Sequence, residues 1–436
     1  MRQLAALLLV LVLASSTIVS LFPAHAVSSG HDWAMFQHDP ARTGFLPGTN
    51  ETPAKTWNMS ENYPLWASPA VANGFVYIKA EYIECLNAST GITVWSAPTT
   101  GNQQEQTSIA VVGGYVYSGR YLYHDFGGDV FALNASTGDR IWTFPTGDFV
   151  QSSPAVVEGI LYIGSDNGNV YALNASTGTK VWSYLTNGPV RSSPAVAAGC
   201  VYVGSGDANV YALDASTGKK LWNYTTGGIG GAPGNPNIQP SPAVADGVVY
   251  IGSEDHNVYA LNASTGKKIW NYTTGGGVRG SAAIADGRVY IGSNRIFALD
   301  ALTGAKLWDF PTLGDELSSP AMADDVVYFD SRDNNVYALN ASTGAKIGNF
   351  TIPHDIYTVL GLTSPAVAYG LVYFYLDHTV YAWEPSAFVN APGMQSEPFP
   401  VVPVAAVVAV VVVVGAGLLL YFKKRKRQPR ITRDGN

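Results

Sequence analysis

Polar side chains that could bind an anion or a sugar recur at one place in a repeated unit. Two positions before the serine that opens a unit, the chain carries arginine or glutamine at Gln106, Gln151, Arg191, Gln239 and Arg279. Arginine offers a planar fork of donors, and glutamine offers a donor and an acceptor. If these side chains converge on one opening, they could bind a carboxylate, a sugar or a peptide terminus. The alternative is a solvated rim without a ligand.

Other residues that could do chemistry are better explained as structure. The pairs His124-Asp125 and His354-Asp355 lie in longer loops, and their spacing matches no compact metal motif. Acidic turns such as Asp166-Asn167-Gly168-Asn169 lack the spaced ligands and the terminal glutamate of a calcium loop, so we predict that they only form turns. Cys85 and Cys200 fall in distant units and are expected to be small buried hydrophobes without a disulfide.

The unit that contains these residues repeats about every forty residues, which indicates a repeat architecture. Each unit has four short runs rich in Val, Ile and Tyr, separated by clusters of Gly, Asn, Asp and Ser, as expected of strands and hairpins. Four antiparallel strands repeated eight times predict an all-β fold, an eight-bladed β-propeller. The units open at Ser68, Ser108, Ser153, Ser193, Ser241, Ser281, Ser319 and Ser364.

The two ends of the repeat region complement each other. The last unit stops after its third run, at Val380-Tyr381-Ala382-Trp383, and an unmatched run precedes the first unit at Lys55-Thr56-Trp57-Asn58. Pairing the two runs would complete the last blade and remove two open sheet edges. We therefore predict a ring closed by the N-terminal strand.

The run Ala172-Leu173-Asn174-Ala175-Ser176-Thr177-Gly178-Thr179-Lys180-Val181-Trp182 resembles the tryptophan-docking motif of the pyrroloquinoline-quinone (PQQ)-type propeller repeat. Residues 33–44 resemble the lead-in of that family, and the resemblance extends to residue 384. Gly348 replaces tryptophan in the seventh motif. The docking position is held by Trp57, Trp95, Trp142, Trp182, Trp222, Trp270 and Trp308.

This resemblance implies two kinds of function. One branch contains quinone-dependent alcohol and sugar dehydrogenases, many of which have an adjacent cysteine pair, an acidic base and calcium ligands around the cofactor. The other contains non-catalytic scaffolds of the bacterial envelope. No matching cysteine pair or ligand set can be picked out here. We therefore expect a scaffold without a cofactor. PQQ and Ca²⁺ would be bound only if the protein were instead a quinone-dependent dehydrogenase.

The chain ends predict export and anchoring. Residues 1–26 resemble a signal peptide, 27–384 form the propeller, and 385–400 form a proline-rich stalk. The apolar run 401–422 is long enough to span a bilayer as a helix, and the basic tail 423–436 would keep to the cytoplasmic side. Residues 397–400 resemble anchors of archaeal surface proteins, in which the helix could be removed.

Charge and sequons describe the expected surface. Between signal and tail the chain carries 17 basic and 31 acidic residues, a net charge of −14 that disfavours nucleic acid. Five Asn-x-Ser/Thr sequons hold a turn position that Asp214 and Asp300 hold elsewhere, so turn chemistry explains them. Asn223, Asn271 and Asn349 follow the docking position on outer strands and are the predicted glycosylation sites.

Connectivity assigns the two faces of the propeller. If the first strand runs downward, the turns between second and third strands lie on the upper face, and the chain leaves from the lower face. The sequence thus predicts a monomeric, single-pass cell-surface protein whose upper face meets an extracellular protein or glycan. The alternatives are a quinone-dependent dehydrogenase with a divergent site and a structural surface-layer component.

Overall fold

Short runs of Val, Ile, Tyr and Ala form the strands of the protein. A computed structural model describes residues 33–46, 56–61, 65, 67–99, 107–122, 127–227, 240–314, 317–351, 363–376 and 378–385. Strands such as Asn169–Asn174 are buried at every position except their ends, because a neighbouring blade covers each face. Residues of this kind suit a strand that packs on both sides.

The described residues form eight sheets, each containing four antiparallel strands, which confirms the eight-bladed propeller. The first strands are β3 (Ala70–Ala72), β7 (Ala110–Val112), β11 (Ala155–Val157), β15 (Ala195–Ala197), β19 (Ala243–Ala245), β23 (Ala283–Ala285), β27 (Ala321–Ala323) and β31 (Ala366–Ala368). The second strands are β4 (Phe75–Lys79), β8 (Tyr115–Leu122), β12 (Ile160–Gly164), β16 (Cys200–Gly204), β20 (Val248–Gly252), β24 (Arg288–Gly292), β28 (Val326–Ser331) and β32 (Leu371–Leu376).

The outer half of each blade contains two longer strands. The third strands are β5 (Tyr82–Asn87), β9 (Gly127–Asn134), β13 (Asn169–Asn174), β17 (Asn209–Asp214), β21 (Asn257–Asn262), β25 (Arg295–Asp300), β29 (Asn335–Asn340) and β33 (Thr379–Trp383). The fourth strands are β6 (Thr93–Pro98), β10 (Arg140–Pro145), β14 (Lys180–Leu185), β18 (Lys220–Thr225), β22 (Lys268–Thr273), β26 (Lys306–Pro311), β30 (Lys346–Thr351) and, in blade eight, β2 (Trp57–Ser60). A short strand, β1 (Phe45–Leu46), adds to the sheet of blade seven.

The first strands meet around the axis of the ring. Each contacts the first strand of the next blade, and β31 of blade eight contacts β3 of blade one. The opening serines lie just before these strands and are linked by hydrogen bonds. The backbone N–H of Ser68 donates to the hydroxyl of Ser108 at 3.0 Å, and the N–H of Ser364 donates to that of Ser68 at 2.9 Å. The repeated serine therefore joins neighbouring blades.

The N-terminal strand closes the ring. Strand β2 pairs antiparallel with β33, with Trp57 opposite Ala382 and Ser60 opposite Thr379. Blade eight is thus built from both ends of the repeat region, as the truncated last unit predicted. The third-strand edge that blade eight would otherwise leave open is covered.

Each docking tryptophan fastens its blade to the next one. The indole Nε1–H donates to an alanine carbonyl in the turn between third and fourth strands of the following blade. For Trp222 the acceptor is Ala263, at 2.8 Å, and the Tyr202 hydroxyl donates to the same carbonyl at 3.2 Å. A Cβ on Gly266 would lie 2.6 Å from the Trp222 ring, and the φ of Gly266 is +68°, so this turn requires glycine. The same indole bond is made by Trp57, Trp95, Trp142, Trp182, Trp270 and Trp308.

Truncating one docked tryptophan should destabilise the propeller. We expect Trp222→Ala to lower the free energy of unfolding by about 3 kcal/mol, because it empties the space between two blades and leaves the Ala263 carbonyl with fewer donors. Trp222→Phe keeps most of the ring and should cost less. Thermal unfolding of the purified propeller measures both changes, and an unchanged melting curve for Trp222→Ala would contradict the docking role.

The way in which the ring closes explains why glycine replaces tryptophan at position 348. Gly348 lies opposite Ala338, in the place of the docking tryptophan of blade seven. Blade eight has no turn between its third and fourth strands, since β33 and β2 come from opposite ends of the chain. A tryptophan at 348 would therefore lack the turn on which the others dock. Instead, Phe350 packs against Trp383, with ring centroids 4.6 Å apart.

Two carboxyl groups meet where the ring closes. Glu61 follows β2, and Glu84 lies on β5 of blade one. Burial, and then the charge and hydrogen bond of Glu84, raise the pKa of Glu61 from 4.5 to about 7. Because the pKa of Glu61 is higher in the folded ring than in the unfolded chain, protonation of Glu61 favours folding. The stability that depends on this proton is fully present below the unfolded-state pKa and is lost as the pH rises through the folded-state pKa.

Replacing Glu61 should therefore stabilise the protein only at higher pH. We expect Glu61→Gln to melt at a higher temperature than the wild type at about pH 8 and at a similar temperature at about pH 4.5. Thermal unfolding at both pH values checks this. Glu158→Gln, in an exposed turn of blade three, is the control and should change little at either pH. An equal effect of Glu61→Gln at both values would contradict the prediction.

The two chain ends fall outside this description. The predicted signal (1–26), the stalk beyond residue 385, the apolar run 401–422 and the basic tail are not among the described residues. Within the described ranges there is no helix with the length and apolarity to cross a membrane.

Candidate functional site

Gln151 and Arg191, two of the predicted mouth residues, meet on one carboxylate. Asp166, in the turn between β12 and β13, accepts bonds from Arg191 Nε at 3.1 Å and Nη2 at 2.8 Å, and from Gln151 Nε2 at 3.1 Å. Burial raises the pKa of Asp166, and this outweighs the opposing effect of Arg191. The residues of blades three and four thus form one hydrogen-bonded group at the upper end of the channel.

Arg279 makes the same kind of contact two blades further on. Its Nε lies 2.7 Å from Glu254 Oε1, and the two side chains are 30% and 20% exposed. Glu254 holds the turn position of blade five that Asp166 holds in blade three. Both described arginines are therefore matched by an acid of the preceding blade. An incoming carboxylate would have to displace that acid, so the paired rim suits polar contacts better than strong anion binding.

The prediction that Asp166 only forms a turn was wrong, because its carboxylate also binds Gln151 and Arg191. The role of Glu254 was not predicted either, although the repeat contains a signal for both acids. An acid follows the serine at Ser165 and Ser253, and in each case the next unit has arginine at the mouth position. Where the same turn position is Gly206 or Asn294, the next mouth residue is Gln239 or Leu317. An arginine at the mouth position therefore occurs where the preceding blade has an acid after its serine. Gln106, Gln239 and the His-Asp pairs at 124–125 and 354–355 lie outside the described residues.

The bore of the ring is occupied by a segment that was not placed there by sequence reasoning. Residues 33–46, called the hoop here, run around the inner edges of the first strands. The carbonyl of Ala34 accepts from the N–H of Val111 in blade two at 2.7 Å, and that of Gly44 accepts from Met322 in blade seven at 2.9 Å. In between, the hoop bonds Val196, Val244 and Ile284 of blades four to six. It thereby satisfies inner-edge N–H groups that would otherwise lack partners.

Arg42 fixes the hoop to blades three and four. Its side chain is fully buried, and its guanidinium donates to the carbonyls of Pro194 at 3.0 Å, Ser153 at 3.0 Å and Pro154 at 2.9 Å, and to that of Phe36. Burial lowers the pKa of Arg42 to about 9. A planar fork of donors is what several converging carbonyls need.

The acidic turns of the upper face act as latches between blades. Asp207 Oδ2 accepts the Tyr211 hydroxyl at 2.6 Å and the N–H of Asn187, at the end of blade three, at 3.1 Å. Asp255 and Asp333 make corresponding contacts one and three blades further on. Burial opposes the ionisation of Asp207, but its hydrogen bonds outweigh burial and hold its pKa below the usual value. These carboxylates are used by the fold itself.

The described residues do not fit a quinone site with calcium. Cys85 is buried in blade one, Cys200 is half-buried rather than buried in blade four, and neither forms a disulfide. No three His, Cys, Asp or Glu side chains of the described ranges come together as metal ligands. The hoop, in addition, lines the inner edges of the first strands. A cofactor of that class would need groups that these parts of the chain do not supply.

The predicted glycosylation sites lie away from the mouth. Asn223, Asn271 and Asn349 occupy the fourth strands of blades four, five and seven, on the outer rim. Their side chains are engaged with neighbouring strands, as described below.

Comparison with known proteins identifies the repeat. The family described as outer membrane protein assembly factor BamB matches residues 49–148, 126–284 and 273–387. No curated protein matches the sequence.

Solved structures with a similar fold include proteins of both functional kinds. BamB from Moraxella catarrhalis is 18% identical, with a TM-score of 0.60 over 77% of this chain and 98% of that chain. Quinohemoprotein alcohol dehydrogenase from Comamonas testosteroni is 16% identical, with a TM-score of 0.66 over 80% of each chain. A europium-containing methanol dehydrogenase is 14% identical, with a TM-score of 0.65 over 84% of this chain and 92% of that chain. At these identities the likeness concerns the fold alone.

Proposed function

Because this chain belongs to the family described as outer membrane protein assembly factor BamB, we propose that it is a non-catalytic, monomeric scaffold that binds an extracellular protein or glycan through its upper face. The apolar run 401–422 anchors it in the cell membrane, with the propeller outside. We also propose that this anchor is of the kind found on archaeal surface proteins, which residues 397–400 resemble.

One observation carries this proposal: in the part of the chain that the structure describes, the arginines at the mouth and in the hoop are already bonded within the protein. Arg191 and Arg279 are matched by Asp166 and Glu254, and the hoop lines the inner edges of the first strands, where Arg42 binds carbonyls of blades three and four. What remains for a partner is the broad surface of the loops between and within blades. A face of this kind suits a macromolecule better than a small substrate held in a deep pocket.

Exposed leucines on the upper face favour a protein as the partner. Leu313, in the loop that follows the fourth strand of blade six, is 95% exposed, and Leu185, at the end of the fourth strand of blade three, is 65% exposed. Single exposed apolar side chains are common on any surface. Both leucines lie on the face that we propose for the partner.

Site-specific cross-linking tests the face. A photo-cross-linking amino acid is placed at Leu313 on the upper face and, as a control, at Leu302, which is 80% exposed in the lower turn of the same blade. On intact cells we expect a defined adduct from position 313 and none from position 302. No adduct at 313, or equal adducts at both positions, would contradict binding through the upper face.

A second candidate is the alternative that the repeat resemblance implies, a quinone-dependent dehydrogenase with a divergent site, which would share its fold with the alcohol dehydrogenase of Comamonas testosteroni. Calorimetric titration of residues 27–395 with PQQ and Ca²⁺, followed by a dye-linked alcohol oxidation assay, separates the two. Stoichiometric binding with oxidation would favour the enzyme. No heat and no oxidation would favour the scaffold.

A further inference from the structure

Eight of the ten Asn-x-Ser/Thr sequons divide into two structural classes that differ in how their reactive groups are used. One class lies in the lower turns between third and fourth strands, at Asn87, Asn134, Asn174, Asn262 and Asn340. The other lies within fourth strands, at Asn223, Asn271 and Asn349. N-linked glycosylation requires the asparagine Nδ2 and the hydroxyl two residues later. The question is which class leaves these groups available.

In the turn class the fold uses only the Oδ1 of asparagine. Asn174 Oδ1 accepts from the N–H groups of Ser176 at 3.1 Å and Thr177 at 3.0 Å. The other four turns make the same kind of bond, which fixes which amide atom is oxygen. In the described part of the chain, the Nδ2 of these five asparagines makes no hydrogen bond. Hydrogen bonds to Oδ1 therefore fix the side chain, and Nδ2 remains available for reaction.

Two other blades show that the turn does not need the asparagine Nδ2. Asp214 Oδ1 accepts from Thr217 N–H at 2.8 Å, and Asp300 Oδ1 accepts from Thr303 N–H at 2.8 Å, so a carboxylate replaces the amide without loss of the turn. After Asp300, the place of the serine is taken by Leu302, which is 80% exposed. The five asparagine turns nevertheless all combine Nδ2 with a serine hydroxyl. The Ser176 hydroxyl donates to Asn174 Oδ1 at 2.8 Å and the Ser216 hydroxyl donates to Asp214 Oδ1 at 2.7 Å, so the turn also uses these two hydroxyls. Turn formation leaves the asparagine Nδ2 unexplained.

In the strand class the fold uses both groups. Asn223 Nδ2 donates to Asn209 Oδ1 at 3.0 Å, and the Thr225 hydroxyl donates to the same oxygen at 2.7 Å. Asn209 Nδ2 is itself bonded to Asp207, which fixes its orientation. Asn271 with Thr273, and Asn349 with Thr351, repeat this arrangement.

Blade six shows that this cross-strand position serves to join strands. Arg295 Nη1 and Asp309 Oδ2 lie 2.6 Å apart at the positions of Asn209 and Asn223. Cross-strand pairing thus explains the strand sequons completely. In Asn58-Met59-Ser60 the serine hydroxyl is likewise shared with Thr379.

We propose that Asn87, Asn134, Asn174, Asn262 and Asn340 are N-glycosylation sites and that Asn223, Asn271 and Asn349 are not, an assignment that rests on the proposed extracellular location. The donor is a lipid-linked glycosyl diphosphate. Nδ2 forms a bond to the anomeric carbon, the bond from that carbon to the diphosphate oxygen breaks, and one Nδ2 proton leaves to a base of the transferase. The glycans then ring the outer part of the lower face and leave the upper face uncovered.

The test maps glycans on the whole chain made in a secretory host, with the leader of the host in place of residues 1–26, so that export does not depend on the natural signal. Glycopeptide mass spectrometry measures occupancy at each sequon. We expect occupancy at the turn asparagines to exceed that at the strand asparagines several-fold. Equal or higher occupancy at Asn223, Asn271 and Asn349, or an exported chain without glycan, would overturn the assignment.

Asp-substituted variants provide matched controls. Changing all five turn asparagines to Asp copies Asp214 and Asp300, so the melting temperature should stay close to that of the enzymatically deglycosylated parent while most of the glycan mass disappears. Changing Asn223, Asn271 and Asn349 to Asp should leave the glycan mass unchanged. Loss of glycan from this second variant alone would overturn the assignment. Cross-linking from Leu313 does not depend on glycans, so failure of the scaffold proposal is distinguished from failure here.

Discussion

A propeller that lacks residues 27–66 is expected not to form a stable closed ring. This deletion removes β2, with the docked Trp57, and the hoop that bonds the inner strands of six blades. Loss of one docked tryptophan alone is worth about 3 kcal/mol. The whole stability of a domain is about 5–15 kcal/mol, so loss of the strand and the hoop together should leave little of it. Urea unfolding and size-exclusion chromatography should show a non-cooperative or aggregated protein.

A rescue variant separates the strand from the hoop. A turn and strand copied from residues 174–185 of blade three are added after Trp383, which gives blade eight its own fourth strand but no hoop. We expect this variant to regain a monomeric, cooperatively unfolding state that is less stable than the full chain. A deletion variant as stable as the full chain would show that neither element closes the ring.

Structural features that recur in every repeat could be predicted from the sequence. The docking tryptophans, the turn glycines and the opening serines occur at fixed positions in successive units, so each copy supports the interpretation of the others. The closure by Trp57–Ser60 followed from a last unit that was one strand short. The docking contacts themselves also follow the repeat, since Trp182 and Trp222 bond the alanine carbonyl at the same place in the next blade.

Contacts that occur once could not be predicted in this way. The hoop was recognised as a lead-in by resemblance, but nothing in residues 33–46 states that they run inside the ring. Their partners are backbone groups of strands up to 280 or so positions away, and backbone groups carry no sequence signal. For the same reason Arg42 gave no hint of its role: all four of its acceptors are carbonyls.

The candidate mouth was predicted in part. Gln151 and Arg191 do come together, but on an acid of the protein itself. Sequence reasoning aligned positions of one kind and did not compare them with the turn positions of the preceding blade. The pairs Asp166–Arg191 and Glu254–Arg279 become visible only when the two positions are considered together.

Replacing Arg42 with methionine should be among the most destabilising single substitutions in the chain. Methionine fills much of the same volume but donates no hydrogen bond, so the buried carbonyls of Ser153, Pro154 and Pro194 lose their donor. Each buried group left without a partner costs about 1–3 kcal/mol, which places the expected loss at several kcal/mol. Removing a buried cation recovers part of its desolvation energy, but does not restore partners to the carbonyls. Urea unfolding of the purified propeller measures the loss.

Three further variants identify the cause of this loss. Arg42→Lys keeps the charge but cannot reach several carbonyls with one compact ammonium group, so it should recover only part of the stability. Arg42→Ala adds a cavity to the lost bonds and should be at least as damaging as Arg42→Met. Lys219→Met removes one positive charge from an exposed turn and should change little. If volume alone mattered, Arg42→Met would be nearly neutral, because volume-conserving changes are tolerated in a core. A wild-type unfolding curve for Arg42→Met would therefore contradict the role of the guanidinium in holding the hoop.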